Sequence, residues 1–298
     1  MSTRLRPTDL KLSVIVPCRD SAATIGSQLE AIAAQEWPGG FDVIVVDNKS
    51  TDDSVAVTEK YRDKIPGLRI VRAGDRAGAG YARNFGVGAS TADAVVFCDA
   101  DDEVAPGWLS AMGSSLCEHD FVACRIDLEK LNEPHVVASR GRTQTDGLQR
   151  MPYPPYFSHA GAGTMGVKRS LHEAVGGFDE AFRFCEDTHY CLRIQLAGHT
   201  LVFVPAATVH VRLRTSSWQI FRQARNYGEY SVRLYKASRA LGTDPLPHPW
   251  RAGLQAWRVL GRSVAGLRYR RARPALMFQF GYRTGRLLGS VRCRTVAP

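Results

Sequence analysis

The 298-residue chain is 44% hydrophobic, enough for one large domain or a domain with an appendage, and this composition excludes global disorder. Its net charge of +10 is unevenly placed: from Val211 onward 18 Arg and Lys stand against Glu229 and Asp244, a net +16, which leaves −6 for residues 1–210. No uncharged apolar run approaches the ~20 residues of a membrane-spanning helix, and Met1–Leu10 lacks the apolar stretch of a secretory signal.

Leu12-Ser-Val-Ile-Val-Pro17 is a β-branched run closed by proline and predicts the first strand. A helix is expected from about Ala22 to Gln35, capped by Asp20 or Ser21, with Ile25, Leu29 and Ile32 on one face. Phe41–Asp47 predicts a second buried strand that ends in a carboxylate. Ser50, Thr51 or Asp52 then caps a helix over about 54–62. Leu68–Val71 is a third strand, and a glycine-rich loop, Gly74–Gly80, leads into a helix through Ala82, Phe85 and Val87. The fourth strand, Ala94–Cys98, runs into Asp99, Asp101 and Asp102. Alternating helical and strand periods predict an α/β fold with a mostly parallel, Rossmann-like sheet flanked by helices.

The glycines of the loop do not fit Gly-x-Gly-x-x-Gly, and no P-loop occurs, so neither dinucleotide nor P-loop chemistry is expected. Farther on, a helix is predicted from Pro106 to Cys117 and a strand from Asp120 to Ile126. Residues 130–160 read as a long polar loop, and 161–167 as a strand passing close to other backbone. A short helix over 169–175, a helix opening at Cys185-Glu186-Asp187, and two late strands, 201–205 and 207–211, follow. The seven cysteines form no Cys-x-x-Cys pair and are odd in number. They read as reduced, mostly buried thiols of a cytoplasmic protein, with no zinc cluster.

Three carboxylates at a strand end repel one another unless a cation lies between them, and a hard divalent ion bridging to phosphates is one solution. An acidic turn capping the next helix is the other reading. The choice is made by the company these residues keep. Ser13-Val-Ile-Val-Pro17, Val45-Val-Asp47-Asn-Lys-Ser50-Thr-Asp52, Ala82-Arg83-Asn84-Phe-Gly86, Phe97-Cys-Asp99-Ala-Asp101-Asp102, Gly176-Gly-Phe-Asp179-Glu180 and Glu186-Asp187 occur in one order along the chain. Together they resemble the inverting family 2 glycosyltransferases.

The resemblance covers about residues 10–215 and implies a GT-A catalytic domain there, followed by a basic helical C-terminal extension over 216–298. It implies metal-dependent transfer of a sugar from a nucleoside-diphosphate sugar to a hydroxyl acceptor, with a lipid-linked or cell-envelope glycan as one form of acceptor. Asp101 would be the direct ligand of Mg²⁺ or Mn²⁺, with Asp99 facing the ribose or the metal and Asp102 behind them. Asp47 would bind base or ribose, and the backbone at Pro17 would line the base pocket. Arg76 and Arg83 would contact base or diphosphate, although a salt bridge to a neighbouring carboxylate explains Arg83 equally well. Asp187 would be the base that takes the acceptor proton, with Glu186 as the second candidate or an acceptor-orienting group. His210 resembles an additional metal ligand of some relatives. Trp108, after the acidic motif, is expected in the core. Thr164 stands where an asparagine is frequent, so the acceptor contacts there differ.

In the extension, Ile220, Ala224, Tyr227, Ser231 and Leu234 predict a helix over 218–240, and Leu254, Trp257, Leu260, Val264 and Leu267 a second over 252–269. Basic helices with tryptophan suit an anionic membrane surface, which would hold the protein at the inner face of the cell membrane. A helical appendage packed on the catalytic domain is the plainer alternative. No nucleic-acid module is visible. A haloacid-dehalogenase-like phosphatase is the competing enzyme class, since it also places Asp-x-Asp after a strand. There the motif lies near the N-terminus and is followed by Thr or Val, whereas Glu103 follows here.

Overall fold

The computed structural model describes residues 5–140, 143–245 and 273–297, together with Arg258 and Gly261. They fall into two compact units. One is drawn from residues 1–130, 144–149 and 159–212, the other from 131–143, 150–158 and 213–298.

The first unit opens with β1 (Leu12–Cys18), α1 (Ile25–Ala33), β2 (Phe41–Asp47), α2 (Ser54–Glu59), β3 (Leu68–Arg72), α3 (Ala79–Ala89), β4 (Ala94–Phe97), β5 (Glu103–Val104), α4 (Trp108–Glu118) and β6 (Phe121–Asp127). After α5 (Pro134–Arg140) and two-residue strands β7 (Gln149–Arg150) and β8 (Ser158–His159), it continues with β9 (Met165–Lys168), α6 (Arg169–Ala174), α7 (Glu186–Leu196) and β10 (Val202–His210). One eight-stranded sheet has the order β3-β2-β1-β4-β9-β6-β10-β5. β3, β2, β1 and β4 run parallel, β9 is antiparallel to both β4 and β6, and β10 is parallel to β6.

Both faces of the sheet are covered, which is why its strands are almost continuously apolar. Side chains alternate in a strand. Val14 and Val16 therefore join one core with Ile25, Leu29 and Ile32 of α1 and Trp108 and Met112 of α4. Ile15 joins the other, with Ala82 of α3, Phe97, Phe178 and Tyr190. Trp108 is fully buried, as expected from the sequence.

The differences from the sequence reading have local causes. α1 starts at Ile25 because Ser21–Thr24 forms a turn, with Thr24 N and Ile25 N both donating to Ser21 O. Asp52 anchors the starts of both flanking segments: its Oδ2 accepts from Ala22 N at 2.9 Å and its Oδ1 from Ser54 N at 3.0 Å. The two late strands are one, β10, broken in register between Val204 and Thr208. Pro205 lies in that bulge, where its missing N–H is tolerated. Residues 130–160 are not one long loop, since they contain α5, β7 and β8. The stretch 161–167 is a 3₁₀ turn, Ala162–Thr164, followed by β9. The helix expected over 252–269 lies outside the described residues. All seven cysteines are free thiols, and only Cys185 and Cys293 are partly exposed.

The second unit holds α5, α8 (Ser217–Ala240) and α9 (Arg273–Cys293). Among the described residues no helix is long and apolar enough to cross a membrane. α8 and α9 touch backbone to backbone. A Cβ on Gly281 would lie 2.4 Å from Phe221 O, one on Gly285 1.8 Å from Arg225 O, and one on Gly289 2.7 Å from Glu229 O. The contacts advance together along both helices, so the two run parallel. Glycine every fourth residue is what lets helix axes come this close. Gly285→Leu should therefore lower stability by on the order of 3 kcal/mol, the upper part of the overpacking range, because the obstacle is main chain. Thermal and urea denaturation followed by circular dichroism would read this, and an unchanged midpoint would mean that the helices do not meet at this glycine.

Candidate active site

The candidate residues gather at the carboxyl ends of the parallel strands, where open α/β sheets bind ligands. Pro17 lies opposite Val46, and Cys18 opposite Asp47, on neighbouring β1 and β2. Asp47 Oδ1 accepts from Ser50 N at 3.1 Å. The next residue, Asn48, is buried and fixes the glycine-rich loop. Its Nδ2 donates to Ala73 O and Arg76 O, at 2.7 and 2.6 Å, and its Oδ1 accepts from Gly78 N at 2.8 Å. Arg76, carried on that loop, extends an exposed side chain whose Nη1 pairs with Glu180 Oε2 at 3.0 Å.

Beyond β4 the chain turns at Asp99–Asp102, with Asp102 N donating to Asp99 O at 3.3 Å. Gln28 of α1 pins this turn from beneath: its Nε2 donates to Asp99 O and its Oε1 accepts from Val104 N, both at 3.0 Å. Asp102 is buried, and its Oδ1 accepts from Arg212 N at 2.9 Å. That bond ties the acidic turn to the segment just after β10. Burial pushes the Asp102 carboxyl well above the usual carboxylate range, and the charges of Asp99 and Asp101 push the same way. Burial and these neighbouring charges thus disfavour the ionised form of Asp102. Asp101 is exposed at the surface of the turn. Gly163 leaves room for Asp99, since a Cβ there would lie 2.7 Å from its Oδ2.

Arg83 connects this turn to the Glu-Asp pair. Its side chain is only 4% exposed, with Nη2 2.5 Å from Asp99 Oδ1 and Nη1 3.2 Å from Glu186 Oε1. The guanidinium also lies over the Phe178 ring, 5.7 Å from its centroid. Asn84 holds Phe178 by a reciprocal pair of bonds, Nδ2 to Phe178 O and Phe178 N to Oδ1, each 2.8 Å. Phe178 in turn stacks on Tyr190 of α7 with centroids 4.2 Å apart. These contacts bring Arg83 on α3 and Glu186 on α7 together although they are 103 residues apart.

Burial, and then the charge of Asp187, push the Glu186 carboxyl up to about 7 in spite of Arg83. Arg83 cannot fully offset them because its nearer partner is Asp99. Asp187 occupies the first turn of α7, after Cys185 in a left-handed backbone with φ 58°. Its Oδ1 accepts from Thr188 N at 2.6 Å and from Thr188 Oγ1 at 3.1 Å. The Thr188 hydroxyl is also 3.5 Å from His159 Nδ1. Burial lowers the His159 pKa, while the charge of Asp187 opposes that shift.

His210 ends β10, with Nδ1 2.5 Å from Asp127 Oδ2. It lies opposite Glu103 in the ladder. Among the described residues no three His, Cys, Asp or Glu side chains are arranged to hold an ion by themselves. The acidic turn supplies hard carboxylate oxygens that repel one another, two of them already tied to Arg83 and to Arg212 N. This donor set fits a hard divalent cation.

Residues 13–176, more than half of the chain, match the family model of Glycosyl transferase family 2. The chain belongs to that family. Among curated relatives, an uncharacterized glycosyltransferase of Escherichia coli, YibD, is 33% identical over 111 residues, 37% of this chain and 32% of its own. The poly(ribitol-phosphate) beta-N-acetylglucosaminyltransferase TarS of Staphylococcus aureus is 32% identical over 125 residues, 41% of this chain and 22% of its own. The matches thus span a third or less of these two proteins. In structure, a mannosyltransferase of Pyrobaculum calidifontis, solved with GDP-Man and Mn²⁺, superposes with a TM-score of 0.66 at 19% identity, covering 93% of this chain and 86% of that one. The fold is GT-A, and the haloacid-dehalogenase reading is set aside.

Within this family member, Arg83 contacts both Asp99 and Glu186, and Asp101, Asp102, Asp47 and Pro17 lie on neighbouring strand ends and their turns. Asp187 follows on the first turn of α7. Arg76 and His210 are engaged with Glu180 and Asp127. The sequence reading passed over Gln28, Asn48, His159 and Arg212. Gln28 had a signal: it sits on the Ile25–Leu29–Ile32 face of α1, where a polar residue must find buried partners. His159 had none, because its neighbours come from α7.

The raised Glu186 carboxyl has a consequence for stability. Between its ordinary value of 4.5 and about 7 the folded state holds a proton that the unfolded state releases, so stability falls as pH rises through that window. Glu186→Gln should flatten the fall by at most on the order of 3 kcal/mol. Urea titrations at pH 4.5 to 8 test this; equal slopes for both proteins would mean that Glu186 titrates normally.

Proposed function

We propose that the chain is a metal-dependent inverting glycosyltransferase that moves a sugar from a nucleoside-diphosphate donor to a hydroxyl of a cell-envelope glycan. The observation that carries the reading is the Arg83 guanidinium, buried between Asp99 of the donor-side turn and Glu186 of the acceptor-side pair. We assign catalysis to residues 10–215 and read 216–298 as a non-catalytic extension. The acceptor class is argued from TarS, whose name specifies poly(ribitol-phosphate) as its substrate.

In this reading, base and ribose lie against Pro17 and Asp47, and the diphosphate lies at the acidic turn. Asp101, with Asp99, would hold Mg²⁺ or Mn²⁺, with His210 as the candidate additional ligand. The bound cation supplies charge neutralisation for the leaving diphosphate. Arg83 holds Asp99 in place and keeps Glu186 from competing for the acceptor proton. Arg76, the more exposed partner of its pair with Glu180, is the cation placed to turn toward the diphosphate. Asp187 accepts the hydroxyl proton as the acceptor oxygen bonds to the anomeric carbon from the face opposite the leaving group. The bond from that carbon to the diphosphate oxygen breaks, and the nucleoside diphosphate departs with the electron pair. The Thr188 bonds orient the Asp187 carboxylate for this task.

A thermal-shift panel of UDP, GDP, CDP and dTDP, each with and without Mn²⁺ or Mg²⁺, tests the donor site. One nucleotide should raise Tm in a metal-dependent way, by about 3 kcal/mol of added stability at a hundredfold excess over Kd. Asp101→Asn should remove the metal dependence. Asp187→Asn should retain the shift and lose about 10²–10⁴-fold in turnover once the sugar and acceptor are found. No stabilisation of folded protein by any of the four would overturn the donor site, and full turnover in Asp187→Asn would remove it as the base.

A further inference from the structure

α8 and α9 carry nine Arg and Lys against one acid, Glu229, whose carboxylate is itself paired with Arg292. On α9 the side chains of Phe280, Leu287 and Val291 are 45%, 55% and 78% exposed. Seven and four residues apart, they share one face of the helix, and Thr284 falls between them on the same stripe. The glycine stripe that meets α8 is Gly281, Gly285 and Gly289, which lies on a different face. At one end of the pair, Trp218, 67% exposed, stacks on Phe221, whose ring is 5.8 Å from Phe280. On α8, Arg222, Arg233 and Lys236 are exposed. Bulky apolar groups left in solvent on a helix of high positive charge mark an interaction surface.

We infer that this helix pair is a docking surface for an anionic lipid bilayer, with Phe280, Leu287, Val291 and Trp218 entering the interface and the arginines meeting the headgroups. The charge is complementary to such a surface, and each basic side chain near it is worth about a fivefold gain in partition. A nucleic acid would match the charge but would leave the apolar stripe uncovered. A second copy of the chain would cover the stripe but would set nine positive charges against nine more. The exposed tryptophan at the aromatic end suits the boundary between headgroups and acyl chains. The inference does not rest on the glycosyltransferase reading, since no residue of the candidate active site takes part.

The test is co-flotation of the full chain with phosphatidylcholine vesicles and with vesicles containing 30 mol% phosphatidylglycerol, at low and high salt. The chain should float with the anionic vesicles only, and less so at high salt. The triple substitution Phe280→Ser, Leu287→Ser, Val291→Ser should reduce the floated fraction at least about tenfold without changing the circular dichroism melting curve. Arg222→Glu with Arg233→Glu should do the same through charge, and remains informative if the triple variant does not fold. Absence of flotation with anionic vesicles overturns the inference, as does unaltered flotation of both folded variants. So does a wild-type dimer in light scattering that the triple variant abolishes, which would assign the stripe to a second copy.

Discussion

The buried guanidinium of Arg83 is the contact on which the site depends. A buried cation costs several kcal/mol unless its partners are close and well placed, and removing one partner leaves an uncompensated charge. Arg83 has Asp99 at 2.5 Å and Glu186 at 3.2 Å, and a ring face on Phe178. Each of those three partners is fixed by something else. Gln28 holds the backbone of Asp99, Asn84 holds Phe178 at both its N–H and its carbonyl, and α7 carries Glu186. The two acidic motifs, which would repel each other in isolation, are thereby joined through one positive charge.

The balance around that charge is deliberately incomplete. The buried arginine stands among Asp99, Glu186 and Asp187, and burial together with the charges of neighbouring carboxylates drives Asp102 and Glu186 toward their protonated forms. A site with surplus carboxylates and one buried cation has room for further positive charge at its exposed edge, where Asp101 lies. It has much less need of one beside Glu186. The same electrostatics therefore separates the two halves of the proposed chemistry: cation and diphosphate at the acidic turn, proton transfer at the start of α7. The Asp127–His210 contact follows a related logic, because a carboxylate on one ring nitrogen fixes the orientation of the other.

Much of this was legible in the chain. β1, β2 and β4 are apolar on both faces because helices cover both faces of the sheet, and such continuous apolar runs are visible in the sequence. The order of the acidic and glycine motifs pointed to the family, with Asp47 and Asp99 at strand ends and the other motifs on α3, after α6 and at the start of α7. What stayed hidden were pairings that depend on tertiary approach. Arg83 reads equally as a ligand contact or as a salt bridge until α7 is placed against α3. His159 sits in a polar stretch with no periodicity, and only the proximity of Thr188 and Asp187 marks it. Residues 130–160 read as loop because two-residue strands and a seven-residue helix are too short for periodicity to register.

The second unit shows a different use of composition. Most helix pairs in water bury their large apolar side chains against each other, and that burial is their main source of stability. α8 and α9 approach through glycine on the backbone, with Ile220, Ala224, Val232, Leu234 and Tyr235 as the buried apolar residues of α8. A contact made by glycines needs little width, so it leaves part of the α9 circumference exposed. Phe280, Leu287 and Val291 occupy that exposed arc, and α9 itself carries no acid, its Arg292 pairing instead with Glu229 of α8. Side chains that would ordinarily be spent on folding are thus held outward by the same packing that holds the helices together. The glycine stripe and the exposed apolar stripe are therefore one design: closing the pair through its backbone is what makes the apolar face available.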